Sequence, residues 1–298
     1  MNPLVLVILV FYPCIHSLPT TLYDDLVETT TIQPQVTNHD YITNPLSDLI
    51  LNRYGSSSFI NETEEIESFR EPTGMEDPDL FQGDILSDFP TESKTAVRIF
   101  NLWPLGIIPY HMDITLLPMA GKIQLAMAEI ESKTCIRFRP RILSRDYINM
   151  GSGSGCYSVI GKTGGGQVLS LGRGCDKHTT ILHELLHAIG FEHMHSHRDR
   201  DIYLKIRWEN IPRDKWRQFE VASLLGYKTI LPFDYESVML YGPRTFGQNG
   251  KVSMESKVDG KKVIEMSEKK GLSQGDIDGI NKLYMCPGRS ASLLGKWN

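Results

Sequence analysis

No apolar run in this 298-residue chain is long enough to cross a bilayer as a helix. The candidate at 4–12, LVLVILVFY, falls well short of the ~20 residues that a spanning helix needs. It opens the chain, and Ile15 and the small Ser17 follow it in the pattern of a signal peptidase site, although no Lys or Arg precedes it. Residues 1–17 are therefore predicted to be a secretory leader. With no later membrane segment, the mature protein is expected to be secreted, soluble and extracellular. Cysteine is scarce too, at five residues. Cys14 would leave with the leader, so Cys135, Cys156, Cys175 and Cys286 remain. An even set in a secreted chain predicts two disulfides, but four cysteines admit three pairings and the sequence does not choose. Only twelve residues follow Cys286, too few for a further module.

Basic residues are almost missing from the front of the chain. Residues 18–94 hold sixteen Asp and Glu against three Lys and Arg, whereas residues 95–298 hold twenty against twenty-eight. The front is also rich in Thr, Ser, Asn and Pro and poor in periodic apolar runs, which predicts a largely extended or poorly ordered acidic segment. The basic remainder carries no nucleic-acid recognition motif, so a nucleic-acid binder is not the reading taken. At 41% hydrophobic and 22% charged residues, the composition is that of an ordinary soluble globular protein.

What is present is concentrated at 183–193, HELLHAIGFEH. His183 and His187 are four apart, so on a helix both imidazoles leave one face, a turn apart. Gly190 allows the helix to stop and the chain to turn back with positive φ, which would bring in His193. Three imidazoles with one open position describe a catalytic zinc ion, because a structural site closes its fourth position with protein. Glu184 stands beside the first histidine, within reach of a water held by such a metal. Zinc lowers the pKa of a bound water to roughly 7 and polarises a carbonyl. Downstream, SVMLY at 237–241 offers Met239 as a soft floor and Tyr241 as a phenol that can reach the metal or an oxyanion.

Together, HELLHAIGFEH, HRDRD (197–201) and SVMLY resemble the astacin family of zinc endopeptidases in the metzincin clan. The resemblance covers most of 95–286 and includes WPLGIIPY (103–110), GGGQVLSLGRGC (164–175) and LSQGDIDGINKLYMC (272–286). It implies one zinc ion per chain on His183, His187 and His193, with Glu184 as general base. It also implies Tyr241 as a switch residue that stabilises the transition state, Met239 as the Met-turn, and the pairs Cys135–Cys286 and Cys156–Cys175. Two positions depart from the family pattern. Met194 stands where the family has a Glu that contacts the new N-terminus of the mature enzyme, and His197 replaces an Arg. Neither touches a ligand or the base.

FQGDI at 81–85 resembles the family's FxGD pro-segment motif, whose Asp, here Asp84, takes the open zinc position in place of the catalytic water. A carboxylate is a good zinc ligand, and occupying that position removes the nucleophile. Gly83 would let the backbone pass closely. The domain expectation is thus a leader at 1–17, an acidic pro-segment at 18–94 and an astacin-type catalytic domain at 95–298. Activation by a trypsin-like protease would cut at Lys94–Thr95 or Arg98–Ile99. Asn61 heads the N-glycosylation sequon Asn61-Glu62-Thr63 in the pro-segment.

Local patterns predict strands at 107–112, with Pro109 marking an edge or strand end, at 135–141, and in CYSVIG and QVLSLG. Helices are expected at 117–132, about 179–190, near 211–224, and from a Ser273/Asp276 cap toward Cys286. This is an α+β fold, and the resemblance implies two lobes: an N-terminal lobe with a twisted, mostly parallel sheet and the zinc-site helix, and an irregular C-terminal lobe. The resemblance also implies an extended protein or peptide substrate on an edge strand, Cys156 to Gly161. Side-chain preference must then come from pockets, with the loop Gly242-Pro243-Arg244-Thr245 after Tyr241 as the expected wall and Arg244 able to favour acidic residues just after the cut. The function expected is a secreted, monomeric zinc endopeptidase made as a zymogen. The alternative is a zinc-binding, inactive secreted homologue acting as a binding protein.

Overall fold

The computed structural model describes residues 74–86, 102–221 and 232–288. All of them belong to one compact unit, Glu67–Asn298. The leader at 1–17, Asn61, and the cut sites at Lys94–Thr95 and Arg98–Ile99 lie outside the described residues.

The fold is α+β. Strands β1 (Ile107–Met112), β2 (Arg137–Pro140), β3 (Tyr147–Gly151), β4 (Cys156–Ser158) and β5 (Gly166–Leu171) form one sheet in the order β2-β1-β3-β5-β4. Neighbours are parallel except β4, which runs antiparallel to β5 with Tyr157 opposite Ser170. Pro109 corrects the edge-strand expectation, because β1 is flanked on both sides. The imino acid is tolerated because β3 begins to pair only at Tyr110, so Pro109 faces Arg139 of β2 alone. Strand β3 is not predicted by local pattern. Its five residues lie between charged Arg145-Asp146 and a Gly/Ser turn, and only Ile148 and Met150 are buried.

Parallel neighbours require a crossover, and helix α1 (Ala120–Lys133) supplies it between β1 and β2. Ile123, Ala126, Met127 and Ile130 form its buried stripe. It starts later than the expected 117, since Pro118 sits in a 3-10 segment, Ile114–Met119, capped by Asp113 accepting from the Thr115 amide at 2.9 Å. Helix α2 (His178–Ile189) follows β5 and is buried on every face from Thr179 onward. One turn, α3 (Arg200–Tyr203), leads into a two-stranded sheet of β6 (Leu204–Ile206) and β7 (Met254–Ser256). The helix expected near 211–224 is instead a 3-10 segment, Arg213–Phe219, preceded by Pro212 and closed at Glu220 in extended conformation. Helix α4 (Gln274–Leu283) opens on a capping box of Ser273 and Asp276.

Two buried clusters result. The larger joins the sheet, α1, α2 and α4; the smaller gathers Phe219, Phe233, Tyr235, Tyr241 and Phe246 around β6 and β7. Met75 and Met194 pack against both. Cys135 is bonded to Cys286 and Cys156 to Cys175. By loop-closure entropy these contribute about 5 and about 3 kcal/mol respectively. Among the described residues no helix is long and apolar enough to cross a membrane.

Candidate metal centre

The site grows from the C-terminal half of α2. Gly190 adopts φ +128°, and its amide donates back to Leu186 and His187. The Phe191 amide also donates to Leu186, at 3.0 Å, and the chain leaves the helix toward His193. A side chain at Gly190 would be strained in that conformation. The turn brings Nε2 of His193 to 3.1 Å from Nε2 of both His183 and His187. All three rings are buried, as is Glu184.

The outer nitrogen of each ring faces an oxygen. His183 Nδ1 lies 2.7 Å from the Val238 carbonyl, His187 Nδ1 2.7 Å from the Phe191 carbonyl, and His193 Nδ1 2.8 Å from Oε1 of Gln82. Two of these acceptors are carbonyls and the third is an amide oxygen, so each Nδ1 must carry the proton. Three Nε2 lone pairs are then left pointing at one another. Burial, the largest influence, holds His183 below the ordinary imidazole range and His193 well below it. Neutral imidazoles with converging lone pairs repel unless a cation lies between them. Tetrahedral zinc with Zn–N near 2.0–2.1 Å sets its nitrogens ~3.3 Å apart, close to the spacing seen.

Asp84 completes the cluster from upstream. Its Oδ2 lies 2.9 Å from His183 Nε2, and its Oδ1 lies 3.1 Å from His193 and 3.4 Å from His187. The four ligand atoms sit within 4.8 Å of one another. Burial alone would raise the Asp84 pKa; positive charge at the three-histidine centre overrules it and holds the carboxyl well below its usual range. Oδ1 of Asp84 and both oxygens of Glu184 are buried without a hydrogen-bond donor. Orphaned oxygens around a ring of acceptors are what a metal site looks like before its ion is counted. Glu184 is raised well above the usual range, by burial first and by the Asp84 charge second.

Asp84 is held there by a bent segment, 74–86. Gly83 takes φ +94°, and a Cβ on it would come within 2.6 Å of the Met75 carbonyl and 2.7 Å of the Phe246 ring. The Asp84 carbonyl accepts from Ser158 N at 2.9 Å, and the Leu86 amide donates to the Ser158 carbonyl at 2.9 Å. Ile85 thereby adds a parallel bridge to the outer side of β4, the sheet edge. Arg217 and Gln218 donate to the carbonyls of Pro78 and Leu80.

Tyr241 is buried, its ring 4.4 Å from that of His193, and its hydroxyl lies 2.8 Å from the Gln82 carbonyl and 3.2 Å from that of Met75. Burial and then the Asp84 charge push its pKa well above the usual range. Met239 is buried, and its carbonyl accepts from the Met194 amide at 2.8 Å. In HRDRD, Arg200 is the buried member and donates to the carbonyls of His195 and Phe219 at 3.1 and 2.7 Å. His197 Nδ1 accepts from the Asp199 amide at 3.1 Å. Arg244 is exposed and closes its own turn onto Gly250. His195 is a site residue that the motif spacing does not reveal. Its ring packs against those of both His193 and Tyr241, each 4.9 Å away, and burial pushes it down to about 4. Gln82 is equally hidden, because the second position of FxGD carries no signal of its own.

Comparison with known proteins agrees with this geometry. The model of the Astacin peptidase family matches residues 95–285. The chain is 42% identical over 215 residues to Astacin-like metalloprotease toxin 1 of Loxosceles intermedia, covering 70% of this chain and 81% of that one. It is 42% identical over 217 residues to Zinc metalloproteinase nas-6 of Caenorhabditis elegans, covering 69% of this chain and 63% of that one, just under two thirds of its length. Among solved structures it superposes on High choriolytic enzyme 1, a hatching enzyme zinc-protease from Oryzias latipes. The TM-score is 0.56 at 33% identity, covering 68% of this chain and 100% of that one. A buried three-histidine centre with a carboxylate at its fourth position and Glu184 beside it has the donor set of a catalytic metal site. The chain belongs to the astacin family and is a zinc metallopeptidase acting on proteins or peptides.

Proposed function

We propose that the chain is the zymogen of a secreted, monomeric endopeptidase, with 1–17 as leader, 18–94 as pro-segment and 95–298 as catalytic domain. The observation that carries this reading is the Asp84 carboxylate lying against three converging imidazoles. His183, His187 and His193 would hold the zinc ion, and Asp84 would block its fourth position until the segment is cut away. Lys94–Thr95 and Arg98–Ile99 are the bonds a trypsin-like protease would cleave. Asn61 would carry its glycan on the part that is lost. Similarity to a toxin and to a hatching enzyme is in keeping with work outside the cell.

Once the segment leaves, β4 regains a free edge at Ser158, and an extended substrate can add to it as a strand. Zinc in this site would supply Lewis acidity toward the scissile carbonyl and the attacking water. Glu184, whose oxygens have no other partner, takes the water's proton and passes it to the leaving amine. Tyr241, freed from the Gln82 carbonyl, donates its hydroxyl to the developing oxyanion. Met239, buried and accepting from the Met194 amide, would be the Met-turn.

The test is digestion of casein by the full chain before and after limited trypsin treatment, with and without a chelator. Cleavage only after trypsin, abolished by the chelator, supports the reading. Zinc binding without cleavage in either state would favour an inactive binding homologue instead.

A further inference from the structure

The third histidine differs from the other two in where its outer hydrogen bond ends. His183 and His187 donate to carbonyls of the 95–298 region, Val238 and Phe191. His193 donates to the side chain of Gln82, a residue of the upstream segment. The orientation of that amide is set by its other end: Nε2 donates to the Glu220 carbonyl at 3.3 Å, which leaves Oε1 toward His193. Gln82 is buried, and its own carbonyl faces the Tyr241 hydroxyl at 2.8 Å. One residue therefore engages the third ring nitrogen and the phenol together.

We propose that Gln82 is a positioning residue for the metal centre of the uncleaved chain. Its amide oxygen fixes the Nδ1–H tautomer of His193 and aims Nε2 at the ion, so the upstream segment contributes to metal retention through two residues rather than through Asp84 alone. The inference rests on the pro-segment reading above. A hydrogen-bond acceptor behind a ligating imidazole raises its basicity and fixes the ring, and losing such a partner typically costs roughly 10- to 100-fold in metal affinity or activity. Removal of the segment then deletes the acceptor of one ligand while leaving those of the other two intact. The mature enzyme would hold its third ligand least firmly.

The test uses the uncleaved full-length chain loaded with zinc, and follows transfer of the ion to a chromogenic chelator. Gln82→Leu removes the acceptor and should release zinc about tenfold faster than wild type. Gln82→Glu keeps an oxygen toward His193 but cannot donate to the Glu220 carbonyl, and it should return the release rate to within about threefold of wild type. Equal release from Gln82→Leu and wild type, both carrying one zinc, overturns the proposal. Fast release from both variants also overturns it, since Gln82 would then act by anchoring the segment to Glu220. A wild-type chain that binds no zinc at all would sink the metal-centre reading itself, a different and separately visible failure. Cobalt(II) in place of zinc gives a second readout. Gln82→Leu should change the visible spectrum of the centre, whereas Gln82→Glu should restore its form.

Discussion

Lys269 and Asp276 hold the same turn, 237–240, just before Tyr241. Lys269 Nζ donates to the Ser237 carbonyl at 2.6 Å and to the Leu240 carbonyl. The Asp276 carboxylate accepts from Ser237 Oγ at 2.6 Å and from the Val238 amide at 3.0 Å. The Val238 carbonyl in this turn is the acceptor for His183 Nδ1. A clamp built far along the chain thus reaches the first imidazole through one residue, Val238.

That clamp has a pH signature. Burial pushes Lys269 from its ordinary 10.5 down to about 8. Below about pH 8 both folded and unfolded chains carry the proton, and the cost of burying the charge is fully present. Between about 8 and 10.5 the folded chain releases the proton first, so the unfolded state binds more protons and this group's contribution to stability rises with pH. Unfolding free energies of wild type and Lys269→Met, measured from about pH 7 to 10, should diverge in favour of wild type by on the order of 2 to 3 kcal/mol. A constant difference across that range would mean that the amine titrates like a surface lysine.

Glu184→Ala should keep zinc bound yet lose at least about 100-fold in peptide hydrolysis, because it removes a proton carrier and no ligand. Metal content and turnover are measured on the same trypsin-activated sample. Near-normal turnover by a zinc-loaded variant assigns the base to another group.

Asp84→Ala in the uncleaved chain should show hydrolysis before any proteolysis, since water can then enter the fourth position. Gly83→Ala should act in the same direction, because its Cβ has no room beside Met75 and Phe246 and its φ is positive. Silence of Asp84→Ala before cleavage, followed by normal activation, would show that the segment inhibits by covering β4 alone.

Met194 packs against both buried clusters and carries no charge that could pair with a new N-terminus. Catalytic domains beginning at Lys94, Thr95 or Ala96 should therefore differ little in activity and melting temperature. A sharp optimum at one start, with tenfold losses at its neighbours, would show that another side chain, with Glu192 and His195 the first to test, anchors the terminus.

Much of the site was legible in the sequence because it is written in local spacing. His183 and His187 share a helical face by the 3.6-residue period, and Gly190 ends the helix because its φ suits glycine. The Ser273/Asp276 cap is likewise a three-residue relation. Family resemblance extended this to FQGD and to the cysteine pairs, which local pattern left open. Other features were decided only by contacts across long stretches of chain. Pro109 belongs to a flanked strand because of where β3 starts to pair. Strand β3 itself exists because neighbours on both sides supply its hydrogen bonds, not because its five residues demand extension. The expected helix near 211–224 gave way to 3-10 turns whose carbonyls and side chains serve His195, Arg200 and the upstream segment. Gln82 and Lys269 acquire their roles from partners 111 and 29 to 32 residues away. A hydrogen bond of that kind leaves no periodicity in the sequence. Spacing along one element is set by backbone geometry, and the sequence determines it alone; a donor meeting its acceptor between elements is set by packing, which only the tertiary structure decides.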